Sequence, residues 1–238
     1  MSDHLQLGDL EIEVVRKDIK NVHLSVYPPA GRVRISAPSH MKLETLRLYA
    51  ISKLSWIRQQ QRKILAQERD TPREYLERES HWLWGRRYLL EIEEVDAVPE
   101  VLRQHKTLIL RVRPGADANK KAEVMEAWYR SQLHEKVPAN IQTWEPKLHV
   151  NLARVQVRRM KTRWGSCTPA KGSILLNTEL AKKPVACLEY ILVHEMIHLL
   201  EPTHNERFRT LMDLHYPRWR LAREQLNRLP VRHEHWRY

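Results

Sequence analysis

The sequence predicts an α+β fold, in which a β-rich N-terminal half is followed by a helix-rich C-terminal half. Residues 10–37 alternate between apolar and polar side chains with a period near two, which is typical of half-buried strands. Residues 82–92 and 107–112 indicate a second β segment. Residues 184–200 are instead almost all apolar, and a run of that length indicates a deeply buried helix. We expect the 238 residues to form two regions, 1–115 and 116–238, or one continuous unit that includes both.

The first region is expected to open with a small antiparallel sheet. Its strands correspond to residues 10–14, 22–26 and 32–35, and a turn rich in proline and glycine separates the last two. Apolar side chains then recur at helical spacing over residues 42–67. This spacing predicts a helix, and Ser39 is its candidate N-cap because a serine hydroxyl can accept a hydrogen bond from a free backbone amide.

A second β segment follows before the chain becomes mainly helical. Residues 82–92 indicate a hairpin that leads into a strand, and residues 107–112 can pair with that strand. Residues 120–142 have the pattern of a helix. Within it, Pro138 predicts a break or a kink, because proline lacks the backbone N–H that the helix needs. Residues 173–178 predict one further strand.

Charge and cysteine content narrow the class of protein. The chain carries 41 Lys and Arg against 29 Asp and Glu, and +8 of its net charge of +12 falls in residues 151–238. Such an excess favours nucleic acid or acidic partners, although a solvated basic surface is the commoner explanation. Two cysteines exclude a disulfide scaffold and fit a reducing compartment. No apolar run reaches the ~20 residues of a membrane-spanning helix, and the N-terminus lacks the pattern of a signal peptide. We therefore expect a cytoplasmic protein without a membrane partner.

The motif His194-Glu195-x-x-His198 lies within the apolar helix. Residues four apart on a helix share a face, so both imidazoles point into the same space. This is the geometry in which two nitrogen ligands hold one zinc ion at ~2.0–2.1 Å. Glu195 lies beside the first ligand, where its carboxylate can act on water without binding the metal. The alternative is a pair of hydrogen-bonded histidines in the core.

The residues after this helix supply a third histidine. Pro202 should end the helix, and the capping-box sequence Thr203-x-x-Glu206 predicts that a new helix starts at His204. This reversal would return His204 toward the first two histidines. Three histidines and one open position are typical of a catalytic zinc ion, since four protein ligands close a structural site. The spacing equals that of the metzincin motif, but Glu201 stands at its glycine position, so the metzincin turn is not expected here.

The two cysteines offer a second set of ligands. Cys187 lies about two helical turns before His194, and Cys167 follows a Trp-Gly-Ser sequence, so a site with two cysteines and two histidines is conceivable. Such a site would leave one of the three well-spaced histidines unused. We therefore expect both cysteines to act as small apolar residues.

Beyond the histidine motif, several segments carry a family resemblance: residues 56–57, 85–88, 158–167 and 174–177, Phe208 and Pro217. Together they closely resemble the YgjP-like metallopeptidase family, which is related to the SprT-like and WLM zinc proteases. The resemblance covers almost the whole chain. It implies a zincin-like catalytic domain with the H-E-x-x-H helix at its centre. The implied ligands of one zinc ion are His194, His198 and His204, and the implied catalytic base is Glu195.

These residues predict a zinc-dependent metallopeptidase that hydrolyses peptide or protein substrates, with Glu195 as general base. Three alternatives stay open: a zinc hydrolase acting on a non-peptide amide, a DNA-associated protease of the SprT-like kind, and a binding module that keeps zinc for stability alone. The basic C-terminal half favours the second. Glu195 argues against the third, because a structural zinc site has no use for a general base.

Two residues are candidates for substrate binding, Arg163 and Asn177. The guanidinium of Arg163 can bind a substrate carboxylate or stabilise an oxyanion. Asn177 lies in the strand of residues 173–178, which we expect to form the upper rim of the cleft, where an extended peptide could add as a further strand. In the alternative interpretation, Arg163 is solvated and Gly165 forms a hairpin turn.

Overall fold

A computed structural model describes residues 2–27, 30–66, 73–160 and 163–229. These residues form two compact units, one before residue 72 and the other from there to residue 229. The strands at residues 80–112 thus belong to the same unit as the helices that follow them. This grouping separates the units near residue 72, whereas the sequence pattern predicted a division between residues 115 and 116. That division stays a prediction. Within the described ranges, each helix is too short or too polar to span a membrane.

The first unit contains a four-stranded mixed sheet. Its strands are β1 (Ser2–Leu7), β2 (Leu10–Lys17), β3 (His23–Tyr27) and β4 (Arg32–Pro38), in the order β1-β2-β4-β3. The three expected strands are present, but the expectation of a purely antiparallel sheet is wrong, because β2 and β4 run parallel. β4 takes the inner position since it buries alternate side chains fully, whereas β3 is only partly buried and lies at the edge.

Two helices complete the first unit, α1 (Leu43–Ser52) and α2 (Leu54–Ala66), where a single helix over residues 42–67 was expected. The expected cap at Ser39 is wrong, because the N-cap position is Lys42 and no side chain caps α1. Apolar side chains from both helices share one core with the sheet: Ile12, Val14, Val33, Ile35, Leu46, Ala50 and Ile57.

The second unit begins with another four-stranded sheet. Its strands are β5 (Ser80–Leu83), β6 (Arg86–Glu94), β7 (Glu100–Gln104) and β8 (Thr107–Val112), in the order β5-β6-β8-β7. The expected pairing of residues 107–112 with the preceding strand is confirmed, since β8 runs parallel to β6. Strand β7 was not expected, because Val101 and Leu102 are adjacent in it and do not alternate with polar residues.

A helix of 31 residues, α3 (Ala118–Leu148), follows this sheet. The break considered at Pro138 does not occur, because the helix continues through Pro138 and Pro146. Pro138 is exposed, so water can bond the carbonyl group that the proline leaves without an intrahelical partner. A stripe of buried side chains holds α3 on the core: Met125, Tyr129, Leu133, Val137, Trp144 and Leu148.

A small sheet and three helices end the second unit. The strands β9 (Arg154–Arg158), β10 (Gly165–Thr168) and β11 (Ser173–Asn177) have the order β10-β11-β9. The helices are α4 (Val185–Ile197), α5 (Glu206–His215) and α6 (Trp219–Arg228). The expected apolar helix is α4, and it is deeply buried. Six of its side chains have no exposed surface: Cys187, Leu188, Leu192, Val193, Met196 and Ile197.

Candidate metal centre

Helix α4 places His194 and His198 on one face. The helix starts after Pro184, which occupies the N-cap position rather than the first turn, with φ −52° and ψ 144°. It ends at Ile197, and His198 is the C-cap, still with right-handed helical backbone angles. The i, i+4 relation of the two histidines is therefore preserved. Their ring centroids lie 4.9 Å apart.

A tight turn after α4 brings His204 to the other two histidines. In this turn, the carboxylate of Glu201 accepts hydrogen bonds from the backbone N–H and the hydroxyl of Thr203, at 3.2 and 2.9 Å. The expectation that Thr203 caps a helix starting at His204 is therefore wrong. Asn205 is the N-cap instead, since its side chain accepts a hydrogen bond from the N–H of Phe208 at 3.0 Å, and α5 begins immediately after it.

The Nε2 atoms of the three histidines converge on one point. His204 Nε2 lies 2.9 Å from His194 Nε2 and 3.1 Å from His198 Nε2. Imidazoles bound tetrahedrally to one metal ion at ~2.0–2.1 Å hold their nitrogens about 3.3 Å apart, which is close to the observed spacing. Among the described residues, these three histidines form the group of side chains that could hold a metal ion.

A backbone carbonyl group sets the tautomer of His198. The Nδ1 atom of His198 lies 3.0 Å from the carbonyl oxygen of Glu201. Because a carbonyl oxygen only accepts hydrogen bonds, Nδ1 carries the proton, and Nε2 presents its lone pair to the metal position. Such an outer hydrogen bond orients a metal-binding histidine and increases its basicity.

Phe208 lies against all three imidazoles. Its ring centroid is 4.9 Å from that of His194, 4.7 Å from that of His198 and 4.8 Å from that of His204. Phe208 is buried, so it forms an apolar floor that limits how far the ligand rings can rotate. The sequence did not predict this role. The available signal was that Phe208 follows His204 by four residues.

Desolvation favours the neutral form of two of these imidazoles, those of His194 and His204. It is the main cause that lowers the pKa of His194 to about 3, and the neighbouring rings of His198 and His204 add to the effect. The pKa of His204 is lowered as well, again mainly by desolvation. A protonated imidazole has no free lone pair, so both shifts favour metal binding at neutral pH.

Glu195 follows the first of these histidines and is almost fully buried, with 6% of its surface exposed. Burial raises the pKa of its carboxyl group to about 7, although the nearby guanidinium of Arg163 acts in the opposite direction. A carboxyl group with such a pKa can both accept and donate a proton near neutral pH. The structure thus has a buried carboxyl group with a raised pKa next to the first histidine of the triad.

Gly165, the first residue of β10, lies directly against the Glu195 side chain. A Cβ atom at this position would lie 2.8 Å from Glu195 Oε1, 2.9 Å from Glu195 Cγ and 3.0 Å from Ile191 Cγ2. Even an alanine would therefore displace the carboxylate. The hairpin turn considered at Gly165 is wrong, since this residue belongs to a strand and is needed for the close approach of Glu195.

The two candidate substrate-binding residues have different surroundings. The buried Asn177 side chain donates hydrogen bonds to the carbonyl oxygens of Met160 and Arg163, at 2.9 and 2.7 Å, and accepts one from the Glu179 N–H at 3.1 Å. These bonds favour a positioning role, in which Asn177 holds the backbone that leads into β10. The Arg163 side chain is exposed, and its charge acts on Glu195.

Neither cysteine belongs to the histidine group among the described residues. Cys187 is buried in α4, and its thiol lies 4.0 Å from the carbonyl oxygen of Ala222. Cys167 lies in β10 and is partly exposed. Burial raises the pKa of both thiols to about 11. Since a metal or a catalytic reaction requires the thiolate, these values support the structural role expected for both residues.

The open strand edge beside Glu195 belongs to β10. Strand β11 confirms the strand expected at residues 173–178, but it lies between β10 and β9, so the rim expected there is wrong. Within the described residues, β10 has a neighbour on one side only. The Asn177 N–H donates to the carbonyl oxygen of Trp164 at 2.9 Å. Because hydrogen-bonded and non-bonded pairs alternate in antiparallel strands, Gly165 and Cys167 direct their backbone polar groups away from β11.

A family model described as YgjP-like, metallopeptidase domain, matches residues 20–229. Comparison with curated proteins finds no significant match. The matched range contains the three histidines, Glu195 and Gly165, so it includes the whole site described above. It confirms the resemblance noted in the sequence and supports a metal-dependent hydrolase of peptide bonds. Since the match covers most of the chain and includes a histidine triad that could hold a metal ion, this chain belongs to the YgjP-like metallopeptidase family.

Proposed function

We propose that this metallopeptidase uses zinc to hydrolyse peptide bonds. The observation that carries the proposal is the convergence of three Nε2 atoms, 2.9 and 3.1 Å apart, beside a buried carboxyl group. A donor set of three imidazoles suits zinc and leaves one coordination position open. An open position distinguishes a catalytic zinc site from a structural one.

The roles of the protein groups follow from their positions. When bound, zinc supplies the Lewis acidity that makes water nucleophilic near neutral pH and polarises a carbonyl group. Glu195 accepts the proton of the attacking water and donates it to the leaving amine. A pKa of about 7 suits Glu195 for both transfers. Gly165 keeps the carboxylate in place, because it lets the side chain lie directly against the backbone of β10.

The edge of β10 offers backbone groups to an extended peptide. Gly165 and Cys167 direct their N–H and C=O groups toward this edge. Cys167 also lies near enough to Glu195 for the carboxylate to raise the pKa of the thiol. A peptide that paired with β10 as an added strand would therefore pass Glu195. This proposal moves the peptide-binding edge from β11 to β10.

Removal of the metal tests the proposed function. The purified protein should hold about one zinc ion per chain, a chelator should abolish peptide cleavage, and added zinc should restore it. Elemental analysis and a library of quenched fluorescent peptides measure the two quantities. Magnesium is the control, because it prefers oxygen ligands and should not restore activity. Full cleavage by the metal-free protein would contradict the proposal.

The substitution Gly165→Ala should impair catalysis without removing the metal. The new Cβ would lie 2.8 Å from Glu195 Oε1, so the carboxylate must move, and a displacement of about 1 Å can cost on the order of 10²-fold in rate. We expect kcat for peptide cleavage to fall by about that factor, while zinc content stays unchanged. Steady-state kinetics and elemental analysis check the two expectations.

Ser166→Ala is the matched control, since it changes the adjacent residue of the same strand, whose side chain points to the other face. This variant should keep the kcat of the wild type. An unchanged kcat in Gly165→Ala, with zinc bound, would show that the contact with Glu195 does not position the carboxylate.

A further inference from the structure

Two exposed arginines, Arg163 and Arg223, lie near the site without acidic partners among the described residues. Other arginines of α6 are paired. Arg220 donates to Asp213, with Nη2 3.1 Å from Oδ2, and Arg228 forms an ion pair with Glu224. Within this helix, Arg223 thus differs from its paired neighbours in being available to bind an anion.

The packing of α6 on α4 sets the position of Arg223. Ala222 and Leu226 are buried, and the carbonyl oxygen of Ala222 lies 4.0 Å from the thiol of Cys187 in α4. Arg223 follows Ala222, so it stands at the flank of the packed face. From there its charge acts on His194, on His204 and on Tyr190, whose ring lies edge-on to His194 at 5.8 Å.

Arg163 lies in the segment that leads into β10. It precedes Gly165 by two residues, and Gly165 is in direct contact with the carboxylate of Glu195. Its charge acts on Glu195 rather than on the histidines. One arginine thus stands by the acid–base group and the other by the metal-binding rings.

These two cations oppose the binding of a metal ion, because like charges repel across a partly desolvated site. Nearby acids do not offset them fully. Glu195 and Glu201 supply at most two negative charges, fewer than the four positive charges that a zinc ion and both arginines would bring. A metal-loaded site would therefore carry an excess of positive charge. An anionic group on the substrate would balance this excess, and guanidinium groups match the two oxygens of a carboxylate.

We infer that Arg223, with Arg163, selects peptide substrates that carry a carboxylate close to the scissile bond. The inference rests on the proposed peptidase function and adds the class of substrate. An acidic side chain and a free C-terminal carboxylate have the same chemistry, so either group could be the one recognised. Arg223 is on this view a specificity residue, which touches the substrate and takes no part in proton transfer.

Binding to a zinc-loaded Glu195→Gln protein tests this inference without turnover. The probes are fluorescent peptides of one length in matched pairs, with Glu or Gln at each position and with a free or an amidated C-terminus. A carboxylate bonded to a guanidinium should give about 10- to 100-fold tighter binding than its neutral counterpart. The pair that shows the difference identifies which source of carboxylate is recognised.

Adding Arg223→Gln to the Glu195→Gln protein should remove most of the difference in affinity between charged and neutral peptides. Arg223→Lys should keep part of this difference. Arg228→Gln, the control, should leave it unchanged. Zinc content and melting temperature verify that each variant is folded and loaded. Equal affinities for charged and neutral peptides, in a protein whose wild type cleaves peptides, would overturn the inference and leave the proposed function intact. Failure of the wild type to cleave any peptide would instead count against the proposed function.

Discussion

Replacing Glu195 with Gln is expected to lower kcat for peptide cleavage by about 10²–10⁴-fold, the usual contribution of a positioned acid–base group. The amide has nearly the same size as the carboxyl group, so it should fit against Gly165 without displacing the backbone of β10. It cannot accept the proton of water. The three histidines are unchanged, so the zinc content should match that of the wild type. Steady-state kinetics with a fluorescent peptide measure kcat, and elemental analysis measures the zinc content.

Glu189→Gln is the matched control for this variant. Glu189 lies on the same helix, but it accepts a hydrogen bond from Trp144 Nε1 at 3.1 Å and faces Tyr216 rather than the histidines. Its kcat should therefore equal that of the wild type. If Glu195→Gln retained the activity of the wild type with zinc bound, Glu195 could not be the general base.

Replacing His204 with Ala should reduce the affinity for zinc by more than about 100-fold, since loss of an outer partner of a ligand already costs about 10–100-fold. The remaining pair, His194 and His198, would hold the metal through two protein ligands. His204 lies in an exposed turn outside α4, so the fold should survive the change. Competition with a chromogenic zinc chelator measures the affinity, and peptide cleavage should fall with the bound metal.

His215→Ala provides the comparison for His204→Ala, because His215 ends α5 and lies outside the histidine triad. The His215→Ala variant should keep the zinc affinity and the peptide cleavage of the wild type. Equal zinc affinity in the wild type and in His204→Ala would mean that His204 is not a ligand. The convergence of the three rings would then need another explanation.

The sequence predicted the parts of the site that depend on local periodicity. The spacing of His194 and His198 on an apolar helix placed both rings on one face, and the structure has them there. The return of His204 was also expected, although for a partly incorrect reason. Thr203 had the residue type of a cap, but the carboxylate of Glu201 engages it in the preceding turn, and Asn205 caps α5 instead.

Features that depend on contacts distant in the chain could not be predicted from periodicity. Gly165 has no special backbone conformation that a turn motif would reveal, and its role depends on Glu195, which is 30 residues away. The order of the strands within a sheet cannot be predicted from periodicity either. The pairs β2–β4 and β6–β8 are parallel because an edge strand intervenes along the chain in each case. Alternating hydrophobicity indicates that a strand exists but not which neighbour it takes.

The floor beneath the histidines also offers a spectroscopic probe. Phe208 is the single phenylalanine of the chain, and its ring centroid lies within 4.9 Å of all three imidazoles. Biosynthetic incorporation of a fluorinated phenylalanine would thus give one fluorine resonance for the whole protein. Because metal binding changes the charge and orientation of three adjacent rings, that resonance would distinguish loaded from empty protein. Metal uptake could then be followed without a substrate.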